Sequence, residues 1–424
     1  MRSNPFIFLL IFAVIIFIID FYVIYGIKKV TNDLPKKVQL LIKILFWGVT
    51  VASLSGLTLV MLFRDSIPTA SSTAYFHFAA GTFMLFYVPK LIFILFNLLD
   101  DLIFGLRLLY HKIKHRPKLE LQGTSITRRK FLNITGLIFA AIPFVSLFYG
   151  IVEGRFNFTV NKLKLTFDRL PKKFSGIKIL QISDFHLGSF LNNMDEVKEA
   201  IRIINEQEAD IVLFTGDLVN NVVDEAEPFR ELLASIKVKK GKYSILGNHD
   251  YGDYKRWSSP EAKRENLQKL INLQREAGFD ILLDENRVIK VEDEEIELLG
   301  VENWGIPPFP QYGNLDKALV GTRKHTFKIL MSHDPTHWDA QIRATDIDFT
   351  LSGHTHGAQF GIEIPGWKWS PASMRYRQWG GLYQEDKQQI YVNTGIGFIG
   401  FPGRVGMPPE ITVFELNSSM GDIS

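Results

Sequence analysis

Four apolar stretches occupy the first 150 residues, at 5–27, 38–63, 75–99 and 131–150. Each approaches or exceeds the ~20 residues that a helix needs to cross a bilayer. The first two are apolar all round, which a helix on the surface of a soluble domain cannot be. The third runs on as an amphipathic tail to about Tyr110, and the fourth contains Asn133 and Thr135. The chain is therefore expected to begin with an all-α membrane module of four spans over 1–150. A second domain is expected over 151–424.

The charges divide at the same point. Residues 1–150 carry 16 Lys and Arg against 6 Asp and Glu, a balance of +10, and the remainder carries 32 against 39, a balance of −7. The basic character thus belongs to the membrane module, and no nucleic-acid partner is expected for the rest. Positive loops stay cytoplasmic. Lys28, Lys29, Lys36 and Lys37 follow the first stretch, and Arg107, Lys112, Lys114, Arg116, Lys118, Arg128, Arg129 and Lys130 precede the fourth, whereas the second loop has Arg64 balanced by Asp65. This places the domain after residue 150 on the extracytoplasmic side of an inner or plasma membrane. Thr127-Arg128-Arg129-Lys130-Phe131-Leu132 resembles a twin-arginine export signal and reads equally as a basic cytoplasmic flank. Asp20, Lys90, Asp100 and Asp101 lie in or beside the spans, most of them near span ends, where long side chains can reach water. The chain has no cysteine, which excludes disulfides and thiolate metal sites.

Beyond Arg155, short β-rich runs alternate with amphipathic helical stretches, the pattern of an α/β domain. Buried-strand runs at 177–182, 211–214, 243–246, 327–331 and 349–351 each end in polar residues: Asp184 and His186, then Asp217, then Asn248, His249 and Asp250, then His333, then His354 and His356. In α/β sheets, ligands bind at the carboxyl ends of strands. Asp-x-His and His-x-His on an extended backbone put both side chains on one side, within reach of one ion. A lone buried histidine is most often a hydrogen-bonded core residue. Five of this chain's ten histidines fall in these strand-end motifs, more than that reading accommodates. Carboxylate, imidazole and amide oxygen suit Mn, Fe or Zn. Seven ligands exceed one tetrahedral ion and fit two ions sharing a carboxylate.

The ordered set Asp184-x-His186, Gly216-Asp217, Gly247-Asn248-His249-Asp250, Ser332-His333 and Gly353-His354-x-His356 resembles the calcineurin-like metallophosphoesterases. Gly380-Gly381-Leu382-Tyr383, the run from Tyr391 to Gly397, and Arg404 followed by Pro409-Glu410-Ile411 resemble its bacterial membrane-anchored branch. The resemblance covers about residues 175–416. It implies a β-sandwich of two mixed sheets flanked by helices. It implies one ion on Asp184, His186 and His356, a second on Asn248, His333 and His354, Asp217 bridging them, and a catalytic His249 facing the substrate. Two departures stand out. Gly357-Ala358-Gln359 replaces the common Gly-Gly-Gln, and Asp217 is followed by Leu218 rather than by the Arg-Gly of protein phosphatases.

These residues suit a dinuclear-metal hydrolase of phosphoester or pyrophosphate bonds, with His249 protonating the leaving oxygen, oriented by Asp250 or another carboxylate. Arg404 is expected to bind a substrate anion or to brace its Gly/Pro-rich loop. The segment 367–383 carries Trp367, Trp369, Tyr376, Trp379 and Tyr383 interleaved with Lys368, Arg375 and Arg377, and such a segment can rest on headgroups or cover a lipid. The expected partners are the bilayer and a phosphorylated lipid or envelope substrate. The alternatives are a pyrophosphatase of a UDP-linked lipid precursor, whose substrate is cytoplasmic, and a non-catalytic metal-binding membrane receptor or scaffold.

Overall fold

A computed structural model describes residues 5–63, 69–114, 128–190 and 193–419. The loop holding Arg64 and Asp65, the basic residues Arg116 and Lys118, and Thr127 of the twin-arginine-like motif lie outside the described residues. The chain separates into two compact units, Met1–Tyr149 and Gly150–Ser424.

Four long helices carry the apolar stretches: α1 (Pro5–Thr31), α2 (Lys36–Phe63), α3 (Thr69–Lys114) and α4 (Arg128–Val152). All four contain a segment long and apolar enough to cross a membrane. The amphipathic tail of the third stretch continues as helix, so α3 reaches 46 residues. At ~1.5 Å per residue this is about twice a bilayer's hydrocarbon thickness.

The charges inside the spans are not arranged as expected. Asp20 is fully buried and does not reach out to water. Its carboxylate meets Lys90 Nζ of α3 at 2.6 Å, and accepts from Thr50 Oγ1 of α2 at 2.5 Å and Tyr87 Oη at 3.0 Å. Lys90 also lies over the rings of Phe46 and Tyr87, at 4.5 and 4.1 Å. Three helices are thus tied by one carboxylate, because apolar helices in lipid gain little from hydrophobic burial against one another. A second group joins Lys29 and Arg128 to Asp100, at 3.4 and 3.0 Å, with Tyr22 on Asp101 at 2.7 Å. The first arginine of the twin-arginine-like motif is therefore engaged within the helical unit.

The second unit contains two six-stranded sheets. One runs β1 (Thr159–Phe167), β14 (Glu410–Ser418), β2 (Lys178–Ile182), β3 (Ile211–Phe214), β4 (Gly241–Ser244) and β5 (Asp280–Ile281). The other runs β12 (Gly381–Glu385), β13 (Gln388–Val392), β9 (Phe349–Ser352), β8 (Lys328–Met331), β7 (Glu294–Gly300) and β6 (Glu285–Val291). A short hairpin of β10 (Ile362–Ile364) and β11 (Trp367–Trp369) stands apart. Each large sheet mixes parallel and antiparallel pairs: β14 runs antiparallel to β2, while β2, β3 and β4 are parallel.

Ile179, Ile211, Leu213, Ile329, Met331, Phe349, Leu351 and Phe414 pack between the sheets. The alternate residues Leu180, Ile182, Val212 and Phe214 pack outward with Val197, Ile201 and Ile204 of the helix Met194–Glu206. Leu299, Leu330 and Val392 pack likewise with Trp338 and Ile342 on the far side. Both faces of the central strands are covered, which explains why those strands read as continuous apolar runs without alternation. The two-layered α/β domain with helices outside is the architecture the motifs implied. The strand expected at 243–246 lies two residues earlier, so Ile245 and Leu246 already belong to the turn that carries Asn248.

Candidate metal centre

The motif residues stand just past strand ends, but the geometry that gathers them is not the extended pleat expected from their i, i+2 spacing. Asp184, His186, Asp217, His354 and His356 all have positive φ, at 52°, 47°, 60°, 72° and 50°. In this left-handed region non-glycine residues cost on the order of 1 kcal/mol each, and such residues gather at functional sites. Main-chain bonds across the rim hold the turns: Asp184 N–H donates to Gly216 O at 2.9 Å, His186 N–H to Asp217 O at 3.1 Å and Gly353 N–H to His333 O at 2.9 Å. Turning the backbone at each ligand aims five side chains from β2, β3 and β9 back over the sheet edge.

Ala358 has the same conformation at φ 50°, next to Gly357 at φ 52°. This gives the Ala-for-Gly departure a physical meaning, since a methyl group sits where glycine is unstrained. Ala358→Gly is expected to stabilise the domain by up to about 1 kcal/mol, the relief of strain exceeding the added chain entropy. Thermal unfolding of the full chain checks this, and a fall in melting temperature would contradict it.

Two groups of ligand atoms result, Asp184 with His186 and His356, and Asp217 with His333 and His354. In the first, His356 Nε2 lies 3.0 Å from His186 Nε2 and 3.3 Å from Asp184 Oδ1. In the second, His333 Nε2 lies 3.2 Å from Asp217 Oδ2 and 3.2 Å from Asn248 Oδ1, and His354 Nδ1 lies 2.8 Å from that amide oxygen. Asp217 Oδ2 is also 3.6 Å from His186 Nε2, so one carboxylate oxygen serves both groups.

The donor set fits cations. His333 Nδ1 faces Thr215 O at 2.7 Å and must donate there, which leaves Nε2 of the neutral ring a bare acceptor among two further acceptors. His354 repeats the arrangement, with Nε2 on Tyr376 Oη at 3.0 Å and Asp334 Oδ2 at 3.5 Å, so its bare Nδ1 faces Asn248. Acceptors meeting acceptors in a buried site require a positive charge between them. Burial by itself would raise the Asp184 and Asp217 carboxyls, but the neighbouring imidazoles outweigh it and hold both below the usual carboxylate range. Burial opposes a charge on His333 as well, yet Asp217 pulls it up to about 10, so a proton on Nε2 supplies the positive charge that a bound cation would otherwise supply there. The two carboxylates are thus held as anions, the state in which they would ligate divalent ions.

The supporting residues around the ligands carried no signal in the sequence. Asn248 Nδ2 donates to Tyr254 Oη at 2.8 Å, which turns its oxygen toward the histidines. Tyr376 and Asp334 orient His354, and Thr215 orients His333 through a carbonyl that any residue type would supply. Tyr376→Phe, which deletes a partner of His354 Nε2, is expected to weaken metal affinity roughly tenfold, as loss of such support commonly does. Metal titration of the purified chain checks it, and unchanged affinity would remove Tyr376 from this role.

The remaining expectations fare differently. His249 is half-buried beside the centre, its ring 4.9 Å from that of His186. It is oriented by Asn220, whose carbonyl lies 2.8 Å from Nδ1. The expected carboxylate, Asp250, is occupied elsewhere: it accepts from the main-chain N–H groups of Asp217, Leu218 and Gly247 at 2.9 Å each. It thereby holds the turn that presents Asp217. Arg404 is 1% exposed and has no face open to a substrate. Its Nε donates to Gly397 O at 2.9 Å and its Nη2 to Gly395 O at 3.0 Å, with Nη2 3.2 Å from His356 Nδ1. It braces the loop behind a ligand, so the substrate-anion expectation for Arg404 is replaced by the structural one.

A family model for calcineurin-like phosphoesterases matches residues 177–358, and one for the transmembrane domain of calcineurin-like phosphoesterases matches residues 1–155. The Bacillus subtilis metallophosphoesterase YkuE is 31% identical over 256 residues, spanning 59% of this chain and 82% of its own length. The chain belongs to the calcineurin-like metallophosphoesterase family. This is a family of divalent-metal-dependent phosphoester hydrolases, and here the domain follows a transmembrane module, making the protein an integral membrane member. A Danio rerio transmembrane protein with a metallophosphoesterase domain is 27% identical over 298 residues, covering 68% of this chain and 63% of that protein, so the match leaves over a third of that relative unspanned. The Escherichia coli phosphodiesterase YaeI is 25% identical over 296 residues, covering 69% of this chain and 99% of its own.

Proposed function

We propose that this protein is a membrane-anchored, dinuclear-metal phosphoesterase whose catalytic domain lies on the extracytoplasmic side and acts on a phosphorylated lipid or cell-envelope phosphate. The observation that carries the reading is the single carboxylate oxygen of Asp217 between two imidazole-rich groups, on a chain that also contains four membrane-length helices. Two bound divalent ions would acidify water at neutral pH and offset the charge that builds on the phosphoryl oxygens.

The chain's own residues supply the rest. Asp184, His186 and His356 would hold one ion and Asn248, His333 and His354 the other, with Asp217 reaching both. His249 Nδ1 is fixed by Asn220, so its Nε2 is the atom left to protonate a leaving oxygen. Burial lowers the His249 pKa, so this proton is lost, and the donor step slows, as pH rises through the acidic-to-neutral range. His249→Ala is expected to lower kcat roughly 10²-fold or more on alkyl phosphoesters while metal content is unchanged. The loss should be far smaller with nitrophenyl esters, whose leaving group needs no proton. Equal losses on both would remove His249 from the donor role.

The reading is tested with the full chain in lipid nanodiscs, loaded with Mn and offered lipid phosphomonoesters, phosphodiesters and pyrophosphates. Turnover of a lipid phosphate that is lost with chelator is the expected result; two bound ions without turnover of any ester would favour the receptor reading. A topology reporter fused after Ser424 is expected to report an extracytoplasmic end. A cytoplasmic end would favour the UDP-linked precursor pyrophosphatase.

A further inference from the structure

The aromatic segment after the last ligand is divided by the fold. Tyr376 and Trp379 are buried with Ala372 and Met407. Trp367 and Trp369 are not: they form β11, which pairs antiparallel with β10 in the register Ile362 with Trp369, Glu363 with Lys368 and Ile364 with Trp367. Strand residues alternate faces, so Ile362, Ile364, Trp367 and Trp369 share one face, and Glu363 and Lys368 share the other. Lys368 is turned onto the domain, with Nζ 5.1 Å from the Trp379 ring and 5.2 Å from that of Tyr383 and bonded to Gly380 O. Both strands are exposed along their whole length, so only the Lys368 head group touches the domain and the apolar face is left open. Ile362, Ile364, Trp367 and Trp369 are 52, 54, 52 and 42% exposed, and Met374 beyond the hairpin is 83% exposed.

A hairpin on a water-soluble surface ordinarily packs its apolar face onto the domain. Four large apolar side chains on one small outward face form a contact surface. Tryptophan with isoleucine is the composition that settles at the headgroup boundary of a bilayer, and the spans of the same chain keep this domain tethered to one. We infer that the apolar face of the hairpin Ile362–Trp369 inserts into the membrane interface. The hairpin is tied to the metal centre through Ser370, whose Oγ donates to Gly357 O at 2.6 Å, next to ligand His356. Tyr376, a few residues on, bonds ligand His354. Insertion would therefore bring a lipid-borne phosphate to the centre without the lipid leaving the bilayer. That use of the surface rests on the lipid-phosphate reading above, whereas the membrane contact itself does not.

The chain has no cysteine, so a single one can be placed at will. Trp367→Cys and, on the facing strand, Ile364→Cys are labelled with an environment-sensitive fluorophore in the full chain, reconstituted in phosphatidylglycerol and phosphatidylethanolamine nanodiscs. Val320→Cys, at a 72% exposed position, is the reference. Metal content equal to that of the unsubstituted chain shows that each variant is folded. The expected result is a blue-shifted emission at 367 and 364, lost to lipid-borne nitroxide and protected from aqueous iodide, with the reverse at 320. Quenching by iodide at 367 and 364 would overturn the inference, and so would protection from both quenchers, which would assign the face to a protein partner or a second copy. Because the readout is position and not turnover, it fails or succeeds independently of the substrate assignment.

Discussion

Asp217→Asn is expected to lower turnover by on the order of 10³-fold, about 4 kcal/mol of transition-state stabilisation, and to reduce bound metal from about two ions per chain to one or fewer. The reason is the position of one atom. Asp217 Oδ2 lies 3.2 Å from His333 Nε2 and 3.6 Å from His186 Nε2, so it is the only anionic atom that the two ligand groups share among the described residues. Its other oxygen accepts from the His249 N–H at 2.8 Å, and an asparagine can keep that bond. The turn itself is anchored separately by Asp250. The substitution therefore removes charge and the shared ligand with little disturbance of the fold. Unfolding should move by no more than the loss of bound metal explains. Metal counting, steady-state kinetics and thermal unfolding on one preparation would settle it. A variant that keeps two ions and near-normal turnover would refute the bridging assignment.

Lys90→Ala is expected to destabilise the helical unit by roughly 3–5 kcal/mol, the cost of leaving a buried partner charge uncompensated. Asp20 would keep the hydroxyls of Thr50 and Tyr87 but lose the cation 2.6 Å away. The double variant Asp20→Leu/Lys90→Leu should recover most of that loss, since replacing both members of a buried pair by apolar residues is often neutral. Denaturant unfolding of the full chain in detergent reads both variants. Phosphoesterase activity per folded molecule should be unchanged in the double variant. If that variant were as unstable as the single one, or inactive while folded, the network would be more than a tie between helices. Its position in the span, with every oxygen of Asp20 bonded, argues for the tie.

Much of the site was legible because it is written at strand ends. Asp184, His186, Asp217, Asn248, His333, His354 and His356 were each marked by a preceding apolar run, and the structure brings all seven together. Spacing of i, i+2 suggests extended backbone, whereas Asp184, His186, Asp217, His354 and His356 sit in left-handed turns, a conformation that only glycine signals in a sequence. The supporting residues were hidden for a different reason. Thr215 and Asn220 act through carbonyl oxygens, and Tyr254 and Tyr376 approach from distant loops. Adjacency to His249 suggests an orienting role for Asp250 and a charged head group suggests anion binding for Arg404, whereas their buried hydrogen bonds go to main-chain groups of the site's loops.

Sequence alone determined four membrane-length helices and an α/β domain after them, because hydrophobic length and strand burial are local properties of composition. It also marked the candidate ligands, because metal chemistry restricts residue type. Tertiary structure decided which oxygen is shared, that the Asn220 carbonyl and not the adjacent Asp250 holds His249, and that Arg404 faces inward. It decided that Asp20 meets Lys90 across 70 positions of chain, and that one small hairpin turns its tryptophans outward. These depend on which surfaces meet after folding, and residue order does not record that.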